Sequence, residues 1–261
     1  MRSPEPGFDW VVLGAGTAIP HSERSPSGHL LRARHGPVLV DMGPGTLWRL
    51  AAQGVALRDL EGIVLTHRHL DHFLDLPALL FASRIPGHGR TRPLPIHVGP
   101  GMLEHIGRFA EALGHWFEPK GFDVLWTEHA PGEGAVAVEV GGTEVELRAV
   151  EHDATSIALR VSLPGGTVAY SGDSDDCSGL RALCDGADVA VLECSSAADA
   201  KLPGHLTPRE VADIARGARV GRVVLVHMYP QLDGVDLQAE VARFGYDGPV
   251  VVATDGFGIR L

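Results

Sequence analysis

The chain lacks most of what a secreted, membrane-spanning or nucleic-acid-coating protein needs. It has only three cysteines, Cys177, Cys184 and Cys194. An odd number without zinc-ribbon spacing excludes a disulfide framework and points to ordinary thiols in a reducing compartment. No apolar run approaches the roughly 20 residues that span a bilayer. Met1 to Phe8 has prolines and no apolar core, so no secretory signal is expected and the cytoplasm is the expected location. Basic residues are in deficit, 22 Lys+Arg against 33 Asp+Glu, for a net charge of −11. That argues against a broad phosphate-tracking surface. It leaves room for an enzyme acting on nucleic acid, because bound cations change the local charge of a site. There is no internal repeat and no low-complexity tract.

What is present suits one α/β domain over 1–261. Apolar residues make up 44% of the 261, enough for a sizeable core, and the 33 Gly and 18 Pro fall mostly between apolar runs. Strands are expected at Asp9–Gly14, at Gly28–Arg34 and Pro37–Val40 as a hairpin, at Gly62–Thr66 and at Leu94–Val98. Helices are expected at Thr46–Gln53, with Leu47, Leu50 and Ala51 on one face, in part of Phe73–Ser83, and at Met102–Leu113. A meander follows at Val136–Val140, Glu144–Val150, Ser156–Leu163 and Thr167–Ser171. Alternation then returns with strands at Asp188–Leu192 and Val220–Val226 and a helix at Pro208–Arg216 after a Thr207 cap. A helix at Leu237–Phe244 and short strands at Val250–Ala253 and Phe257–Leu261 close the chain. Two mixed β sheets face to face with helices outside fit this order.

The most informative stretch is Thr66-His67-Arg68-His69-Leu70-Asp71-His72, directly after Gly62-Ile63-Val64-Leu65. A strand ending in three imidazoles and a carboxylate delivers several metal-binding groups to one point. Imidazole suits zinc and its transition-metal neighbours, and a carboxylate can hold a second ion beside the first. His67 and His69 are two apart and share a side in extended chain. Asp71 and His72 are expected where the strand turns into a loop, free to reach a neighbouring position. Further polar residues end apolar strands: His152, Asp173 within Tyr170-Ser171-Gly172-Asp173-Ser174, and His227 after Val223-Val224-Leu225-Val226. Strand ends are where an α/β protein places its site.

With these motifs the chain resembles the metallo-β-lactamase-fold hydrolases, in the branch of ribonuclease Z and small phosphodiesterases. The likeness includes Leu13-Gly14-Ala15-Gly16-Thr17-Ala18-Ile19-Pro20, Leu39-Val40-Asp41-Met42-Gly43-Pro44-Gly45-Thr46, Val191-Leu192-Glu193-Cys194, Gly204-His205-Leu206-Thr207 and Thr254-Asp255-Gly256. It implies a four-layer αββα sandwich. It implies two divalent metal ions, zinc first, though manganese or iron can occupy the same ligands. His67, His69 and His152 are assigned to one ion, Asp71, His72 and His227 to the other, and Asp173 between them. The residues expected in catalysis are Asp71, His205 as proton donor or oxyanion stabiliser, and Glu193 as its orienter.

The implied activity is hydrolysis of a phosphodiester, in a small molecule or an RNA, by hydroxide activated at two metals. No membrane partner is implied, and the resemblance allows a homodimer. The chain departs from ribonuclease Z in one respect: no basic, Gly/Pro-rich tRNA-gripping arm lies between His152 and Asp173. Arg84 to Arg92 is the basic stretch nearest the motif, read as a phosphate-greeting loop or a solvated turn. His21 to Arg24 is a second loop that could face substrate. Three alternatives stand beside the phosphodiester: tRNA 3′ processing; hydrolysis of a lactone, β-lactam or thioester on the same fold; and a di-iron redox protein. The last usually carries Glu where this chain has His69. A non-catalytic relative typically loses ligands, and none is missing here.

Overall fold

The computed structural model describes residues 9–87 and 89–261. The segment 1–8, on which the signal expectation falls, lies outside the described residues. The first half contains β1 (Trp10–Gly14), β2 (Gly28–Ala33), β3 (Gly36–Met42), α1 (Thr46–Ala52), β4 (Gly62–Leu65), α2 (Leu70–Phe73), α3 (Asp75–Ala82), β5 (Leu94–Val98), α4 (Met102–Leu113) and β6 (Val124–Glu128). The second half contains β7 (Ala135–Val140), β8 (Thr143–Ala149), β9 (Ile157–Leu163), β10 (Gly166–Tyr170), α5 (Ser178–Cys184), β11 (Val189–Glu193), α6 (Pro208–Gly217), β12 (Arg222–Val226), α7 (Leu237–Arg243), β13 (Val250–Val252) and β14 (Phe257–Ile259).

The strands form two sheets of seven, in the orders β14-β1-β2-β3-β4-β5-β6 and β13-β12-β11-β10-β9-β8-β7. Each sheet is mixed. Strands β3 to β6 run parallel, as do β10 to β13, while β1–β2–β3 and β7 to β10 pair antiparallel. The parallel strands have both faces covered, which is why β4, β11 and β12 read as nearly unbroken apolar runs. Alternation sorts their side chains into layers. Val64, Val40, Leu159, Val191 and Val224 fill the space between the sheets. Ile63, Leu65 and Leu39 pack outward with Leu50, Phe73, Leu76 and Ile106 of α1 to α4. Leu192 and Leu225 pack outward on the other side with Leu180, Val211, Ile214 and Val241 of α5 to α7. The result is the αββα sandwich.

Three local expectations are corrected. Asp71 and His72 sit in the one-turn helix α2, not a loop; the His72 N–H donates to the His69 carbonyl at 2.9 Å and closes that turn. Ala51 is exposed, so the buried face of α1 is Thr46 and Leu50. Arg84, Arg90 and Arg92 lie at the opposite end of the sheet from the histidines that follow β4. Arg90 is buried and donates to the carbonyls of Arg58, Leu60, Arg92 and Pro93, all before β4 or β5 begins. Arg92 bonds Glu61, and Arg84 bonds the carbonyls of His115 and Glu118. Those guanidiniums hold loops together.

Candidate metal centre

Parallel strands gather their C-terminal ends on one edge. Asp41 lies near the end of β3, His67 and His69 follow β4, His152 follows β8, Asp173 follows β10, Glu193 ends β11 and His227 follows β12. Both sheets present these ends to the same place. One ligand atom from each of His67, His69, His152 and Asp173 lies within 4.8 Å of the others, and so does one from each of Asp71, His72 and His227. Asp173 reaches both groups. Its Oδ2 is 3.7 Å from Nε2 of His67 and of His152 and 3.4 Å from His227 Nε2, and its Oδ1 is 3.3 Å from His72 Nε2.

Hydrogen-bond partners fix which nitrogen each ring offers inward. His72 Nδ1 donates to Asp41 Oδ2 at 2.8 Å, and His152 Nδ1 donates to the Gly204 carbonyl at 2.8 Å. Thr66 Oγ1 donates to Asp41 and so accepts from His67 Nδ1 at 3.0 Å. Ser195 Oγ donates to Glu193 Oε2 at 2.6 Å and so accepts from His227 Nδ1 at 3.0 Å. Each of these rings therefore turns its Nε2 toward the cluster, as outer hydrogen bonds to metal-binding histidines do. His69 is the exception: its Nδ1 faces inward, 3.0 Å from His152 Nε2.

Donor chemistry and burial fit cations. His67 Nε2, His72 Nε2 and Asp173 Oδ1 are buried without a hydrogen-bond partner. Such atoms are costly unless something positive or a proton satisfies them. Burial pushes the imidazoles of His67 and His69 down, aided by the charge of His72 on the first and His152 on the second, so both present neutral nitrogens. Burial alone would lower His72 too, but Asp173 and Asp41 outweigh it and hold the ring well above its ordinary range. A ring between two carboxylates attracts positive charge. Burial opposes ionisation of Asp173, yet His227 and His72 overcome it and hold the carboxyl well below the usual range. Asp71 is likewise held down against burial, by its bond to His227 and the charge of His72.

His205 stands beside this cluster. Its Nδ1 is 3.0 Å from Glu193 Oε1, and its ring lies 4.8 Å from that of His152 and stacks on His227 at 5.8 Å. Burial would lower His205, but the hydrogen bond and charge of Glu193 raise it above its ordinary value. Glu193 is fully buried and accepts from His205, from the Ser174 N–H at 2.8 Å and from Ser195. It thereby orients His205 directly and His227 through Ser195. Several groups were missed as site residues from the sequence. Asp41, Thr66, Gly204 and Ser195 fix the rings of His72, His67, His152 and His227, and Tyr229 stands edge-on to His205 and His227 at 6.0 and 5.8 Å. Asp41 and Ser195 carried one signal, a polar residue at the end of a buried strand; Tyr229 carried none beyond lying two positions after His227.

A family profile described as "Beta-lactamase superfamily domain" matches residues 37–228. An uncharacterized protein of Mycobacterium tuberculosis is 34% identical over 260 residues, covering 96% of this chain and 92% of its own. The ribonuclease Z of Nocardia farcinica is 30% identical over 297 residues, covering 94% and 95%. Among solved structures, the metallo-beta-lactamase fold protein YhfI from Bacillus subtilis matches with a TM-score of 0.80 at 25% identity, over 95% of this chain and 96% of that one. The short form of human tRNase Z matches at 0.73 and 25%, over 95% and 97%.

Proposed function

Because this chain belongs to the beta-lactamase superfamily, we propose that it is a metal-dependent hydrolase of phosphodiesters, folded as one domain over 1–261 and working in the cytoplasm. The carrying observation is the convergence of seven side chains from both sheets, with three buried ligand atoms left unbonded. His67, His69 and His152 would hold one cation, Asp71, His72 and His227 the other, with Asp173 between. When bound, two such ions lower the pKa of a water toward neutrality and offset charge on a phosphoryl oxygen.

The chain's own groups do the rest. Asp41, Gly204, Ser195 and Thr66 lock ring orientations, so little reorganisation accompanies reaction. His205 keeps its Nδ1 proton on Glu193 and is left with Nε2 toward the cluster. Protonated there, it would donate to a non-bridging phosphoryl oxygen or to the departing alkoxide. Tyr229 forms an aromatic wall beside both rings.

Support for a compact diester over an RNA comes from the cations framing the site. Arg24 is paired with Asp233, Arg68 with Asp153, and Lys201 with Asp175 and Glu210. The segment between His152 and Asp173 is the plain hairpin β9–β10. RNA cleavage is the second reading, favoured by the ribonuclease Z relatives. Replacing Asp71 or His69 by Ala, with zinc or manganese supplied, should abolish turnover of bis(p-nitrophenyl) phosphate. Undiminished turnover removes these residues from the chemistry. Turnover of a trailer-bearing tRNA without turnover of small diesters favours the second reading.

A further inference from the structure

We propose that Tyr170 is a positioning residue for one half of the cation site, acting through Asp41 on His72; this rests on the two-cation reading above. Tyr170 ends β10 in one sheet, whereas Asp41 lies in β3 of the other. The Tyr170 hydroxyl donates to Asp41 Oδ2 at 2.9 Å. It has one proton to give, so it accepts from Ser27 Oγ, also at 2.9 Å. The same Asp41 Oδ2 accepts His72 Nδ1 at 2.8 Å. A buried polar chain thus crosses between the sheets, from Ser27 through Tyr170 and Asp41 to His72.

Each link has little freedom to wander. Asp41 has a left-handed backbone, φ 57°, uncommon for a non-glycine residue, and its Oδ1 accepts the Thr66 N–H at 2.8 Å. The Tyr170 ring packs against His29 and Trp10 at centroid distances of 4.4 and 5.9 Å. His29 in turn accepts the Trp10 indole N–H at 3.2 Å. Three positions beyond Tyr170 comes Asp173, whose Oδ1 is 3.3 Å from His72 Nε2. One phenol therefore ties the strand that delivers Asp173 to the strand end that orients His72. The side chains of His69 and His152 make no bond to this chain, and His67 reaches it only through Thr66, whose N–H and hydroxyl are also held by Asp41 Oδ1, the oxygen the phenol does not touch. Loss of the hydroxyl should loosen the cation held by Asp71, His72 and His227 and spare the other.

The test is Tyr170→Phe, which keeps the ring and removes only the hydroxyl. Metal-stripped wild type and variant are titrated with zinc, and separately with manganese, against a chromophoric chelator. Wild type should take up two equivalents. The variant should bind one equivalent at wild-type affinity and the other about 10- to 100-fold more weakly. Unchanged affinity in both steps overturns the inference, and so does equal weakening of both. A wild type that binds no cation instead overturns the functional reading, a distinguishable result. Should Tyr170→Phe fail to fold, wild type labelled at tyrosine ¹³Cζ serves. The chain has three tyrosines, and Tyr229→Phe and Tyr246→Phe assign the other two signals. The Tyr170 signal should move with the weaker of the two equivalents; a signal unmoved by both overturns the inference.

Discussion

Glu193 illustrates how much one buried carboxylate can organise. It faces His205 directly and reaches His227 through Ser195. Because Glu193 raises the pKa of His205, protonated His205 persists to higher pH than a free imidazole would. Activity that needs that proton is present below the raised pKa and lost as pH rises through it. Glu193→Gln removes the charge, so the descending limb of the kcat–pH profile should move to lower pH; an unmoved limb contradicts the assignment. His205→Ala should cost about 10²- to 10⁴-fold in kcat, with both cations still bound. The seven converging side chains were legible in the sequence, since four cluster at one strand end and the other three follow strands. Their orienting partners were not. Asp41 precedes His72 by 31 positions and Ser195 precedes His227 by 32, and nothing local to a carboxylate or hydroxyl says which ring it will meet. Glu193 was expected beside His205, but its reach to His227 through Ser195 was hidden for the same reason.

At the scale of elements, the site depends on how closely α2 approaches β3. A Cβ on Gly43 would come within 2.0 Å of the Asp71 carbonyl oxygen, a backbone atom that cannot swing away. Gly43→Ala should therefore displace α2 and weaken the cation held by Asp71 and His72, read by chelator competition. Helix α6 carries a full capping box, with Thr207 and Glu210 bonding each other's backbone N–H. Thr207→Ala should lower stability by about 1 kcal/mol in denaturant unfolding. Strands between two buried layers were readable because their composition is unmistakable. The elements that escaped were β6 and α5. Strand β6 is an edge strand with exposed Leu125 and Thr127, so alternation against a core was weak. Helix α5 is only seven residues and opens Ser-Gly. The basic stretch at 84–92 misled because nearness in sequence to the motif is not nearness in space: α3 carries the chain away from the C-terminal edge of the sheet to its opposite end.

Over the whole molecule, partial or full burial lowers several imidazoles, the half-buried His97 among them, and this couples stability to pH. Burial first, then the neighbouring His129, pushes His97 down to about 4. The unfolded chain binds a proton there below about 6.5, while the folded chain does not until about 4. The unfolded state therefore gains on acidification across that window, and stability falls as pH drops. Metal-stripped His97→Gln should lose less stability than wild type between pH 6.5 and 4 in denaturant unfolding. The cations act in the opposite sense, binding the folded state; at 1,000 times their dissociation constant each would add about 4 kcal/mol. No helix among the described residues is long and apolar enough to cross a membrane.

The central claim is that residues from both sheets converge on a pair of cations, with Asp173 shared. Metal content after reconstitution and desalting tests it most directly. Wild type should retain close to two zinc or manganese ions per chain, Asp71→Ala about one, and Asp173→Ala fewer than either. Wild type retaining none, or Asp173→Ala retaining as much as wild type, would contradict it.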